Sequence, residues 1–126
     1  MAILGIGVDA VEIARLRRAL ERTPSLATRV FTSTELAQSL NRGGGQRAAR
    51  LAGRFAAKEA VAKALGTGVV GFGFRDVEIV NGDRGEPSVV LAAPARAVAD
   101  RVGVTRLHVS LSLTSTVAVA TALAER

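Results

Sequence analysis

The 126-residue chain contains no cysteine, no tryptophan and no tyrosine, and only one histidine. Without thiols it has no disulfide scaffold, no thiolate zinc site and no cysteine nucleophile. A single histidine excludes a multi-histidine metal site and rests any Ser–His arrangement on one position. With aromatics at 3%, recognition by stacking platforms is nearly excluded and the core must come from Ala, Val, Leu and Ile. Apolar runs long enough to cross a bilayer, about 20 residues, are missing. The opening Met1-Ala2-Ile3-Leu4-Gly5 has neither the basic leader nor the apolar length of a secretory signal. A soluble, cytoplasmic protein with no membrane partner is expected. Repeats, low-complexity tracts and linkers are also missing.

What remains is a foldable composition, 48% hydrophobic and 22% charged, of a length that suits one domain over residues 1–126. The net charge of +6 is uneven: residues 1–63 hold 11 basic and 5 acidic groups, whereas 64–126 hold 6 of each. Such a field suits an acidic partner or a phosphate-rich ligand, although a solvated arginine-rich surface reads the same way. A basic nucleic-acid-binding module is a further alternative. The absence of a recognised motif and the scarcity of aromatics argue against it, so no nucleic-acid partner is expected.

Periodicity predicts an α+β domain in which an antiparallel sheet packs against one long helix. Ala2 to Val8 reads as a buried strand, with Gly5 and Gly7 marking close approach by another element, and Asp9 ends it. From Val11 to Arg22 a helix turns Val11, Ile13, Leu16 and Leu20 one way and Arg15, Arg18 and Arg22 the other, before Thr23-Pro24 stops it. Thr32-Ser33-Thr34-Glu35 has capping-box spacing for a second short helix. A polar, Gly-rich loop spans Asn41 to Gly45. The clearest element is a helix from Gln46 to Leu65, capped by Gly66. Strands Arg75–Val80 and Pro87–Leu91, a helix from Pro94 to Val102 closed by Gly103, and a hairpin of Arg106–Leu113 with Val117–Leu123 complete the reading.

The long helix carries an apolar arc of Ala48, Leu51, Phe55, Ala62 and Leu65, and Lys58 and Glu59 fall inside or at the edge of it. Charges in an apolar seam need a partner or a ligand. Two of the seventeen basic residues are lysines, Lys58 and Lys63, and both flank Glu59. A plain Glu59–Lys63 pair at i, i+4 is the alternative. Asp9, at a strand-to-helix junction, is either a ligand-binding carboxylate or a helix N-cap. With no histidine or thiol beside it, an Asp9–Glu59 pair forms an oxygen-only site of the kind that suits Mg²⁺, which keeps waters and takes substrate phosphates into its shell. Gly66-Thr67-Gly68 permits close backbone approach but lacks the Gly-Lys-Ser/Thr of a phosphate loop. His108, beside Ser110 and Ser112, is either a satisfied structural residue or a phosphate donor.

These residues carry a resemblance. Gly5-Ile6-Gly7-Val8-Asp9-Ala10-Val11-Glu12-Ile13 resembles the N-terminal signature of the bacterial holo-[acyl-carrier-protein] synthases, the small phosphopantetheinyl transferases. The stretch from Gly53-Arg54-Phe55-Ala56-Ala57-Lys58-Glu59 through Lys63 to Gly66-Thr67-Gly68 is similar to that family's second signature almost letter for letter. Asp76–Ile79, Gly85-Glu86-Pro87 and Leu107–Ser112 follow in the family's order, so the likeness spans the chain. It implies the 4′-phosphopantetheinyl transferase fold and transfer of 4′-phosphopantetheine from coenzyme A to a serine of apo acyl-carrier protein. It further implies that Asp9 and Glu59 bind Mg²⁺ with the coenzyme A diphosphate, and that Lys63, Gly66, Thr67 and Gly68 hold the nucleotide end. His108 would belong to the same pocket, with Arg54 and Lys58 as phosphate partners. Glu59 and Lys63 would be catalytic, and Arg15, Arg18 and Arg22 would receive the acidic carrier. A homotrimer with active sites between subunits is implied too, as is a place in fatty-acid or related lipid biosynthesis. One departure is plain: many relatives place a His or an acidic residue in the last hairpin turn, where this chain reads Leu113-Thr114-Ser115-Thr116.

Overall fold

The computed structural model describes residues 1–40 and 47–126, so the predicted loop at Asn41 to Gly45 lies outside the described residues. In chain order the elements are β1 (Ile3–Glu12), α1 (Ile13–Arg22), α2 (Leu26–Val30), α3 (Ser33–Gln38) and α4 (Arg47–Ala64), then a 3₁₀ turn (Phe74–Asp76). After it come β2 (Val77–Asn81), β3 (Pro87–Leu91), α5 (Ala93–Val102), β4 (Arg106–Leu113) and β5 (Val117–Glu125). The strands form two antiparallel sheets, one of order β1-β5-β4 and one of β2-β3.

Helix α4 lies across one face of the three-stranded sheet, and small residues set the distance. Ala120, Ala122 and Ala124 alternate along β5 towards it and are buried, as are Ala56, Ala60 and Ala64 on the helix. On β1 the approach is closer still. A Cβ on Gly5 would stand 1.9 Å from the Ala64 carbonyl oxygen, and one on Gly7 would stand 2.0 Å from that of Ala60. Glycine is therefore demanded at both positions by backbone contact, as the sequence pattern implied. Alanine and glycine packing also accounts for a core with so few aromatics.

From Leu51 to Leu65, α4 is buried at every position except Phe55, Glu59 and Lys63. These three recur at i, i+4 and i+8 and share one face. The predicted one-sided arc is thus corrected: the helix is central, with the sheet, α1 and the β2–α3 side all packed on it. A second cluster of Ile13, Leu16, Val30, Phe31, Leu51 and Ala52 seats α1 and α2 against its first half.

Several local signals appear as read. Thr32 and Glu35 make the reciprocal capping box of α3. Pro94 stands in the first turn of α5 and Gly103, at φ +91°, closes it. Other readings are corrected. β1 is not buried on both faces: Ile3, Ile6 and Val8 are exposed, and only the face that carries Gly5 and Gly7 packs on α4. β1 does not end at Asp9 but runs to Glu12, paired with β5 throughout, and α2 is an additional helix.

Candidate active site

Two spacings bring Asp9 to α4. Gly5 lies on Ala64 and Gly7 on Ala60, so the strand descends the helix. Two strand residues rise about 6.6 Å and four helix residues about 6 Å, so the ladders stay in step. Continuing it, Asp9, on the same face as Gly5 and Gly7, reaches the turn that carries Glu59. Lys63 Nζ donates to the Val8 carbonyl at 3.0 Å and to Asp9 Oδ1 at 3.3 Å. The N-cap alternative for Asp9 does not hold, because the residue preceding α1 is Glu12, with no side-chain cap bond.

Glu59 is half-buried, and its carboxyl is held above the ordinary 4.5. Burial is the largest cause and the Asp9 charge the second, with Lys63 pulling the other way. Two carboxylates that repel one another in a half-buried setting are a donor set that a hard cation would suit. Among the described residues no group of three or more His, Cys, Asp or Glu side chains converges. Mg²⁺ fits this donor set, since it tolerates one or two carboxylates and fills the rest of its shell with water and phosphate oxygen.

Beyond α4 the chain turns through Gly66 at φ +85° and Gly68 at φ +63°, values that favour glycine, and apart from adjacent residues nothing lies within 4 Å of where a Cβ would stand at either position. The loop is therefore open to a ligand. A groove of about 390 Å³ is lined by Asp9, Glu12 and Arg15 together with Val11, Leu16, Ala19, Leu26 and Phe55. The sequence reading missed this groove, whose lining comes from β1 and three separate helices. Arg15, Arg18 and Arg22 are all exposed on α1.

Other expected residues are placed elsewhere. Lys58 is fully buried against Glu35 at 2.7 Å. Arg54 is 4% exposed; its Nε donates to the Ile79 carbonyl at 3.3 Å and its Nη2 to Gln38 Oε1 at 3.2 Å. Lys58 has every proton engaged by protein and Arg54 is buried with two of its nitrogens engaged, so neither stands open to a phosphate as the resemblance implied. Burial lowers the basicity of each, with Glu35 opposing.

His108 is exposed and lies 2.9 Å from Glu125 Oε1. The register puts it in one row with Leu123 and Ile6, whereas Asp9 pairs with Ala120, which faces α4. His108 and Asp9 thus lie on opposite faces of one sheet. The altered hairpin turn satisfies itself: Thr114 Oγ1 accepts from the backbone N–H groups of Thr116 at 3.2 Å and Val117 at 2.9 Å.

Comparison with known proteins agrees with this geometry. The 4′-phosphopantetheinyl transferase superfamily matches residues 5–122. A holo-[acyl-carrier-protein] synthase of Frankia casuarinae is 45% identical over 125 residues, covering 99% of both chains. The crystal structure of that enzyme from Neisseria meningitidis superposes with a TM-score of 0.89 at 33% identity, covering 99% of this chain and all of the other. One from Bacillus anthracis in complex with CoA (3′,5′-ADP) gives 0.79 at 34% identity, over 98% and 96% of the two chains. The chain belongs to the holo-[acyl-carrier-protein] synthase family of 4′-phosphopantetheinyl transferases.

Proposed function

We propose that the chain transfers 4′-phosphopantetheine from coenzyme A to a serine hydroxyl of apo acyl-carrier protein, releasing adenosine 3′,5′-bisphosphate. Family membership supports the reading, and one observation carries it: the open stripe of α4 bears Glu59 and Lys63 and meets Asp9. The serine Oγ–phosphorus bond forms as the bond from that phosphorus to the nucleotide oxygen breaks, and the serine proton passes to Glu59, directly or through water. The protein's contribution is mainly position and charge. Asp9 and Glu59 would hold Mg²⁺, which would supply positive charge against the diphosphate. Lys63 stabilises charge growing on the leaving group, and Gly66-Thr67-Gly68 lets the nucleotide end come close to backbone. Arg15 at the same groove, with Arg18 and Arg22 exposed on the same helix, presents positive charge to an acidic carrier.

The chain works as one domain and as a homotrimer in this reading, with sites shared between copies. His108 lies on the face opposite Asp9, so only a neighbouring copy brings it near the carboxylates. That face is apolar enough to be covered, with Ile6 73% and Val8 56% exposed. Among the described residues no helix is long and apolar enough to cross a membrane. We assign the activity to the cytoplasm, since a cysteine-free chain needs no oxidising compartment.

Incubation of an apo carrier protein with coenzyme A, Mg²⁺ and the chain should add the mass of phosphopantetheine, and EDTA should abolish the gain. Binding of coenzyme A without any gain in mass would make the chain a binding protein that lacks turnover. Ile6→Glu should dissociate the assembly in analytical ultracentrifugation and lower turnover with it; a fully active monomer would remove the shared site.

A further inference from the structure

A second charged cluster sits on a different face of α4 from the Asp9 site, one residue before Glu59. The Lys58 ammonium has three protons and three acceptors: Glu35 Oε1 at 2.7 Å, the Phe74 carbonyl at 2.9 Å and the Val77 carbonyl at 2.7 Å. Glu35 is equally occupied, accepting the Thr32 backbone N–H at 2.9 Å through Oε1 and that of Ile79 at 2.9 Å through Oε2. Thr32 Oγ1 continues the network to Glu78 Oε2 at 2.5 Å. Neither Lys58 nor Glu35 has any side-chain exposure. One ammonium thus ties α4 to α3, to the 3₁₀ turn and to β2.

Stability alone is a poor account of this pair. Desolvating two charges offsets most of their attraction, and an apolar pair of the same volume often does as well. An apolar pair does not supply direction, which three convergent hydrogen bonds do. The glycine contact on the sheet side sets how near α4 lies, but the alanines around it are short and carry no directional bond that fixes its rotation. Glu59 follows Lys58 by about 100° around the helix, and its head group is about 5–6 Å from the axis. A rotation of about 20° would therefore carry the carboxylate about 2 Å. Displacements of about 1 Å at a reacting centre cost about 10²-fold.

We propose that Glu35 and Lys58 are a positioning pair, setting the rotation of α4 so that Glu59 meets Asp9 and the coenzyme A diphosphate. The proposal rests on the transferase reading above. Its test is the double variant Glu35→Leu/Lys58→Met, which removes both charges at similar volume. The melting temperature should stay within about 5 °C of wild type. The kcat for carrier modification at saturating coenzyme A and Mg²⁺ should fall about 10- to 100-fold. Inhibition by adenosine 3′,5′-bisphosphate, which has no diphosphate for Glu59 to meet, should change less than about threefold. A folded double variant with wild-type kcat overturns the proposal, as does a loss of activity matching the loss of folded protein. If the double variant does not fold, Lys58→Arg replaces it: the charge stays, but a planar guanidinium cannot meet three convergent acceptors. A folded Lys58→Arg with wild-type kcat is then the overturning result. Wild-type protein with no turnover in the same assay would sink the transferase reading, and the positioning role with it.

Discussion

Lys58 and Lys63 stand five residues apart on one helix, each facing a carboxylate, and the fold treats them in opposite ways. Lys58 and Glu35 are sealed from water with every proton and both oxygens engaged. Lys63 is 51% exposed and Asp9 24%, while Glu59 is held above its usual range by burial and by Asp9. The first cluster is complete in itself. The second has charge left over, which only a ligand can use. Satisfied charges hold an element in place, and poorly satisfied ones mark where chemistry occurs.

The largest effect that separates the two clusters is on stability. Lys58→Ala leaves Glu35 buried without its cation and should cost about 3–5 kcal/mol, whereas Lys63→Ala should cost less than about 1 kcal/mol. Urea midpoints measured on both variants decide this, and equal losses would erase the contrast. Next in size, Glu59→Gln should reduce turnover about 10²- to 10³-fold while leaving the fold intact, read by initial rates beside circular dichroism.

A smaller effect concerns carrier docking. Reversing Arg15, Arg18 and Arg22 to Glu should raise the KM for the carrier protein about tenfold or more, with that for coenzyme A little changed. The penalty should shrink as salt rises. Equal changes in both constants would place the docking face elsewhere.

The smallest prediction is the sign of a pH effect. The Glu59 carboxyl titrates higher in the folded chain than in the unfolded one, so between the two values the folded chain holds more protons. The stability that its protonated form provides is present in full below the ordinary 4.5 and is lost as pH rises through the folded value. In metal-free buffer, Glu59→Gln should therefore unfold later than wild type at neutral pH, and the gap should close on acidification. A gap that widened in acid would show that Glu59 is better satisfied than its surroundings imply.

Much of the architecture was legible because its signals are local. A threonine three residues before a glutamate marks α3, a proline and a glycine bracket α5, and strict alternation outlines β4. α2 escaped because five residues after Pro24 are too few to show a period. Asp9 looked like a strand end because a carboxylate at a β-to-α junction is usually a cap, yet pairing with β5 carries the strand three residues further. The resemblance placed Arg54 and Lys58 among the phosphate partners, but Lys58 precedes Glu59 by a turn of about 100° on the helix and faces the interior instead.

The amino-acid order by itself determined the elements, the two family signatures and the presence of carboxylates at positions 9 and 59, since each depends on neighbours along the chain. It could not say which lysine would be sealed in the interior and which would stand beside the carboxylates. That was decided by the way α4 settles between a glycine-lined sheet on one side and α3 with β2 on another. Burial is a property of the neighbours in space, and only the assembled fold supplies them.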